Sequence, residues 1–180
     1  METYVAMLRG INVGGQKKIK MEELKAHLEA IHLKKVRTYI QSGNIIFEAE
    51  KDNPVDLAKK ISDKILKEYG FEVYVLAKNA QELNHVLNNN AFVLEKHKDI
   101  DLLYVTFLSE TPQQALLEKI NRIESNGEEY IVSGSIIYLC FPNGYGQAKL
   151  TNNFFESKLK LMATTRNWKT VMKLAEMAVS

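Results

Sequence analysis

Eight polar residues in two groups carry the chemistry open to this chain. Arg9, Asn12, Gln41, Ser42 and Asn44 lie in two short polar stretches, Arg9-Gly10-Ile11-Asn12-Val13-Gly14-Gly15 and Gln41-Ser42-Gly43-Asn44. Lys149, Asn152 and Arg166 lie between Pro142 and Thr170, a stretch with two expected helix entrances. Gly144, Gly146, Lys149, Thr151 and Asn152 lead into one, and Thr164, Thr165, Arg166 and Asn167 into the other. Helix N-termini flanked by cations attract anions, and the rigid fork of Arg166 suits phosphate or carboxylate. From Pro142 to Lys173 there are six cations against one acid, Glu156, in a chain of net charge +2. The expected site is a cleft between two subdomains, built from these eight residues and taking a phosphorylated or carboxylated small ligand.

Other chemistries find less support. Gly10 and Gly15 have the spacing of a phosphate-binding P-loop, but Gln16 stands where the lysine belongs and Lys18 where Ser or Thr would hold magnesium. No Gly-x-Ser-x-Gly elbow frames Ser42, and no histidine has a spacing that argues for a triad. His27, His32, His85 and His97 lack an i, i+4 partner and a cysteine companion, so no metal is expected. Cys140 is the only cysteine, which rules out an internal disulfide, and it sits in an apolar run as a small hydrophobe. The sequence names no catalytic residue and no cofactor. An enzyme acting on a phosphorylated metabolite or nucleotide, with Lys149 and Arg166 stabilising developing charge, is one alternative. A nucleic-acid-binding protein is another, although the Gly-aromatic-Gly-aromatic pattern of RNA-recognition modules is missing from Gly43 to Glu48.

Elements must hold these residues in place. Tyr4 to Leu8 is a short apolar run stopped by Arg9-Gly10, and Met21, Leu24, Leu28 and Ile31 recur at helical spacing. Val36 to Ile40 and Asn44 to Phe47 read as a hairpin over Ser42-Gly43. Asn53-Pro54 opens a helix that Gly70 closes, and Phe71 to Leu76 reads as a fourth strand. The order β-α-β-β-α-β predicts a ferredoxin-like subdomain over residues 1–78. Its first and second strands run the same way, which brings both polar stretches to one sheet edge. Asn79 with Glu82 resembles a capping box at the start of the second subdomain, residues 79–180. There Leu102 to Leu108, a helix from Gln114 and a hairpin from Tyr130 to Phe141 read as β-α-β-β, followed by helices. The expected class is therefore α+β, with two related subdomains.

Composition bounds the rest. With 180 residues and 46% hydrophobic content the chain can form one sizeable core or two small ones. Its apolar runs fall short of a membrane span and no signal pattern leads it, so a soluble cytoplasmic protein is expected, of open oligomeric state. Charge divides along the chain: eight cations and four acids over residues 1–41, ten and sixteen over 42–141. Basic ends around an acidic middle point to polyanion contact or to solvated faces.

Four motifs in order resemble the bacterial domain-of-unknown-function family 1697. They are Leu8 to Gly15, Thr38 to Asn44, Lys149-Leu150-Thr151-Asn152 and Thr164 to Thr170. Ala148 stands where that family often places a serine. The resemblance implies a two-subdomain α+β fold whose first part is similar to a ferredoxin-like unit, and it implies no particular activity.

Overall fold

The computed structural model describes residues 1–123 and 125–180. The first apolar run forms β1 (Glu2–Leu8), in which Val5, Ala6, Met7 and Leu8 are fully buried. Helix α1 (Met21–Glu29) turns Met21, Leu24 and Leu28 inward, as the spacing predicts. Strands β2 (Lys34–Tyr39) and β3 (Asn44–Ala49) form the hairpin. Helix α2 (Pro54–Tyr69) starts where Asn53 Oδ1 accepts the Val55 N–H at 3.0 Å and ends at Gly70 with φ of 76°, a cap that favours glycine. Strand β4 (Val75–Asn79) begins later than the sequence predicts, because Phe71 to Tyr74 serve as the connection. The strand order is β2-β3-β1-β4 with all neighbours antiparallel. Tyr4 faces Phe47 and Met7 faces Asn44 across β1 and β3, the register the split β-α-β-β-α-β order requires. Both helices share one apolar core with this sheet, centred on Leu24, Leu28, Phe47, Ile61 and Ile65.

Helix α3 (Ala80–Asn88) opens on the expected reciprocal cap: Glu82 N–H donates to Asn79 Oδ1 at 2.8 Å, and Asn79 N–H donates to the Glu82 carboxylate at 2.9 Å. A short helix α4 (Ala91–Leu94) precedes β5 (Leu103–Leu108), α5 (Gln114–Ile120), β6 (Glu129–Ser133), β7 (Ile136–Cys140), α6 (Asn152–Leu159), β8 (Ala163–Asn167) and α7 (Trp168–Val179). The second sheet runs β6-β7-β5-β8, again antiparallel throughout. The element order of the first half therefore recurs in full. The sequence reading stops at β-α-β-β because it takes Thr164 to Asn167 as a polar lead-in to a helix. Those residues form β8 against β5, and α7 follows directly, with Asn167 Oδ1 accepting the Thr170 N–H at 2.8 Å. The chain divides into two compact units, Met1–Asn84 with Lys173–Ser180, and His85–Met172. No helix among the described residues is long and apolar enough to cross a membrane.

Candidate functional site

In the first unit β1 and β2 point the same way, so the loop Arg9 to Lys20 and the turn Ile40 to Gly43 meet at one sheet edge. The Leu8 N–H donates to the Gly43 carbonyl at 2.8 Å and joins them at their roots. Asn12, at φ 53°, is the clasp. Its Nδ2 donates to the carbonyls of Ile19 (3.0 Å) and Gln41 (2.9 Å), and its Oδ1 accepts the Ile19 N–H at 2.8 Å. Lys17 Nζ donates to the Glu72 carbonyl at 2.6 Å and ties in a third loop, the one between α2 and β4. Asn44 is fully buried, and its Nδ2 donates to the Tyr39 carbonyl and to Ser42 Oγ, both at 3.1 Å. Arg9 is half-buried, its N–H held by the Tyr74 carbonyl at 2.9 Å, and the side chains of Gln41 and Ser42 are exposed. The structure thus assembles the five first-half residues on one edge, with Asn12 and Asn44 spending their carboxamides on holding the loops.

A groove of about 780 Å³ opens on the helix side of this edge. Asn12, Lys18, Lys20, Ile40, Gln41 and Tyr69 are among its walls, whereas Arg9, Ser42 and Asn44 are not. Ile40 is half exposed (50%) and sits at φ 52°, a left-handed conformation that opposes its β-branched side chain. Lys20, the residue before α1, makes no side-chain cap bond, and its ammonium pairs instead with Glu23 at 3.1 Å. The Tyr69 hydroxyl is buried with no hydrogen-bond partner among the described residues, and its pKa is pushed up, first by desolvation and then by the nearby charges of Glu23 and Glu68. Sequence reasoning places Ile40 at the end of a strand and passes over Tyr69 as a helix residue. Strand propensity pointed Ile40 the wrong way, and the end of α2 carried no sign that it borders a groove.

The polar residues of the second unit are bound into its own fabric. The Glu128 carboxylate accepts the Lys149 N–H at 2.8 Å and the Leu150 N–H at 3.0 Å, so the chain's own acid occupies the backbone donors ahead of α6. Lys149 Nζ donates to Asn126 Oδ1 at 3.2 Å, and Thr151 Oγ1 caps α6 by accepting the Phe154 N–H at 3.4 Å. Asn152 Oδ1 accepts from Thr165 Oγ1 at 2.6 Å, and that hydroxyl also meets Thr106 Oγ1 at 2.6 Å. Arg166, only 8% exposed, donates from Nη1 to Thr164 Oγ1 and to the Thr165 carbonyl, each at 2.9 Å. Asn152 and Arg166 are thus linked through Thr165, on α6 and β8, while Lys149 belongs to the Glu128 cluster. Among the described residues no group of three or more His, Cys, Asp or Glu could hold a metal ion. The two rings offered by β1 and β3, Tyr4 and Phe47, are buried and stacked on each other at 5.8 Å, so neither presents a face to a base.

A family model described as "Protein of unknown function (DUF1697)" matches residues 1–138. The chain belongs to this family. The DUF1697 match takes in both polar loops of the first unit and ends before Lys149, Asn152 and Arg166. Among solved structures, the conserved bacterial protein SP0830 from Streptococcus pneumoniae is similar at 26% identity, with 98% of each chain covered and a TM-score of 0.75. The two therefore share an architecture along their whole lengths. No curated protein matches the chain.

Proposed function

We propose that the first unit binds a small organic anion in the groove at its loop edge. The observation that carries this reading is Ile40. A β-branched residue at positive φ costs about 1–2 kcal/mol, and a side chain left half in solvent recovers little of that through burial. Strain of this kind persists where the surroundings impose it, and it concentrates at ligand sites. The groove's size falls in the range of small-molecule pockets, and its mainly apolar walls are edged by Lys18, Lys20, Glu22, Glu23 and Gln41, with Glu23 paired to Lys20 so that Lys18 is the cation left to meet a ligand. In this reading Ile40 and Met21 hold the ligand's apolar body, Lys18 meets its charge, and the Gln41 carboxamide orients it. Asn12 sets the distance between the two loops, and Arg9, Ser42 and Asn44 shape the loop roots without touching the ligand.

A thermal-shift series with phosphate, hexanoate, benzoate and phenyl phosphate tests this on the full chain. A probe at a hundredfold excess over its dissociation constant stabilises by about 2.7 kcal/mol, or roughly 5–10 °C for a chain of this size. The expected result is that the shift from phenyl phosphate or benzoate exceeds that from phosphate, and that it shrinks in both Lys18→Ala and Ile40→Gly. Glycine accepts the left-handed backbone, so Ile40→Gly keeps its unliganded stability to within about 1 kcal/mol. No shift with any probe, or a shift unchanged by both substitutions, removes the reading.

A further inference from the structure

We propose that β6 is a self-pairing edge, through which two copies of this chain join β6 to β6, antiparallel, about a two-fold axis at Ile131. The four sheet edges are β2 and β4 in the first unit and β6 and β8 in the second. An open edge invites further pairing unless lysines, bulges or covering groups blunt it. Strand β2 is blunted by charge and by irregularity: Lys34, Lys35 and Arg37 lie along it, its register breaks between Lys34 and Arg37, and Lys35 sits at φ 46°. Strand β4 carries the Lys78–Glu82 ion pair, and the first N–H of β8, at Ala163, is taken by the Glu156 carboxylate. Strand β6, Glu-Tyr-Ile-Val-Ser, has no lysine of its own, no proline and no register break, and its one charge, Glu129, at the end of the strand, is paired with Lys96 and Lys98 of the same unit.

Its open backbone groups can be identified. The Leu108 N–H donates to the Ser135 carbonyl and the Phe141 N–H to the Leu102 carbonyl, so odd-numbered residues of this hairpin arm face β5 and even-numbered ones face β6. The bonded pairs are then Ser133 with Ile136, Ile131 with Tyr138 and Glu129 with Cys140, which leaves the N–H and C=O of Tyr130 and Val132 pointing away from the sheet. No other hydrogen bond among the described residues reaches the backbone of these two. A two-fold axis at Ile131 sets Tyr130 opposite Val132 of the second copy, an aromatic against a β-branched residue, and Glu129 opposite Ser133, so that no like charges meet. The same operation on β2 would bring its cations together. Five residues of edge bury less than a standard interface, and the association is accordingly weak and concentration-dependent.

Sedimentation of the wild-type chain over roughly a hundredfold range of protomer concentration should show a monomer–dimer equilibrium. Ile131→Cys then gives the decisive geometry. Across the axis, Ile131 pairs with its own copy in a non-hydrogen-bonded position, where Cα atoms stand about 4.5 Å apart, within disulfide range. Oxidised glutathione should therefore link Ile131→Cys into a covalent dimer at least about tenfold faster than Ser133→Cys, which lies off the axis. The native Cys140 is buried and its thiol pKa is raised, first by that burial, so it does not compete. A wild-type chain that stays monomeric throughout, or equal linking rates for the two variants, overturns the proposal. Should Ile131→Cys fail to fold, hydrogen exchange on the wild type decides: the amides of Tyr130 and Val132 gain protection with concentration if β6 pairs, and unchanged protection refutes it.

Discussion

Gly43 is where the turn of the first unit packs against Leu8 and Ile11, and replacing it with alanine tests how the two polar loops are held. At φ 82° it occupies a conformation that costs an L-residue about 1–2 kcal/mol. A Cβ built there would stand 2.8 Å from Leu8 Cβ and 2.7 Å from Ile11 Cδ1. The isoleucine terminus could turn aside only into a packed region, since Ile11 is 1% exposed, and Leu8 Cβ is fixed to the central strand β1. Overpacking of this kind adds about 1–3 kcal/mol. The total for Gly43→Ala is roughly 2–5 kcal/mol, a fall in Tm of roughly 4–20 °C. Gly10→Ala is the control. Its φ of 70° is similar, but no atom lies within 4 Å of the added Cβ, so only the backbone term applies, less what the stiffer unfolded chain returns. Urea unfolding followed by circular dichroism should place the two midpoints clearly apart at the same slope. If Gly43→Ala loses no more than Gly10→Ala, the close approach of the turn to Leu8 and Ile11 does not set the loop geometry, and the groove beside it loses its structural basis.

Other expectations follow from single contacts. Burial pushes the Tyr138 hydroxyl up to about 12, and it donates to the Val86 carbonyl at 3.0 Å. Its stabilisation is complete below the unfolded pKa near 10 and fades as pH rises towards 12, so the wild type should lose on the order of 2 kcal/mol in that window that Tyr138→Phe does not. Glu128→Ala strips the carboxylate from the Lys149 and Leu150 amides; it should cost about 1–2 kcal/mol and make the variant, unlike the wild type, gain stability from added phosphate, read as a rise in Tm. Asn79→Ala breaks the reciprocal cap of α3 and should lower the urea midpoint by the equivalent of about 0.5–2 kcal/mol, and an unchanged midpoint would show that Glu82 alone sustains that helix start.

The fold was legible wherever pattern and propensity agreed. Leu24 and Leu28, the Asn53-Pro54 and Gly70 ends of α2 and the Asn79–Glu82 box each carry one local meaning, and the structure realises each of them. Thr164-Thr165-Arg166-Asn167 carries two. Its polarity suggested a loop, while its paired β-branched residues suit a strand, and pairing with β5 settled it. The site was harder to read because a polar side chain has several uses. Asn12 and Asn44 have the composition of ligand contacts, yet the structure shows their carboxamides bonded to backbone carbonyls within the loops. Ile40, which has the composition of a core strand residue, lies half exposed beside the groove. A left-handed β-branched residue leaves no mark in a sequence, since its neighbours impose the conformation.

The repeated topology supplies a comparison that neither unit offers alone. Between β1 and α1 the first unit inserts twelve residues, Arg9 to Lys20, whereas the matching connection of the second, Ser109 to Gln113, takes five. The first unit's hairpin turns over four residues, Ile40 to Gly43, and the second's over two, Gly134 and Ser135. The second unit shows that this fold closes with the shorter connections at that edge, so folding alone does not require the extra residues of the first. Loops of such length in a compact unit tend to be functional. The second unit is longer at another place, the eleven residues from Phe141 to Thr151. There two of the backbone donors, those of Lys149 and Leu150, are met by Glu128, an acid from the same unit. One extension thus gives two of its donors to an acid of its own unit, while the other borders a groove with an exposed Ile40, an exposed Gln41 and a Tyr69 hydroxyl that has no partner among the described residues. Phosphate added to Glu128→Ala and phenyl phosphate added to the wild type therefore address the same physical question at two places: whether a set of polar groups has already found its partner within the chain.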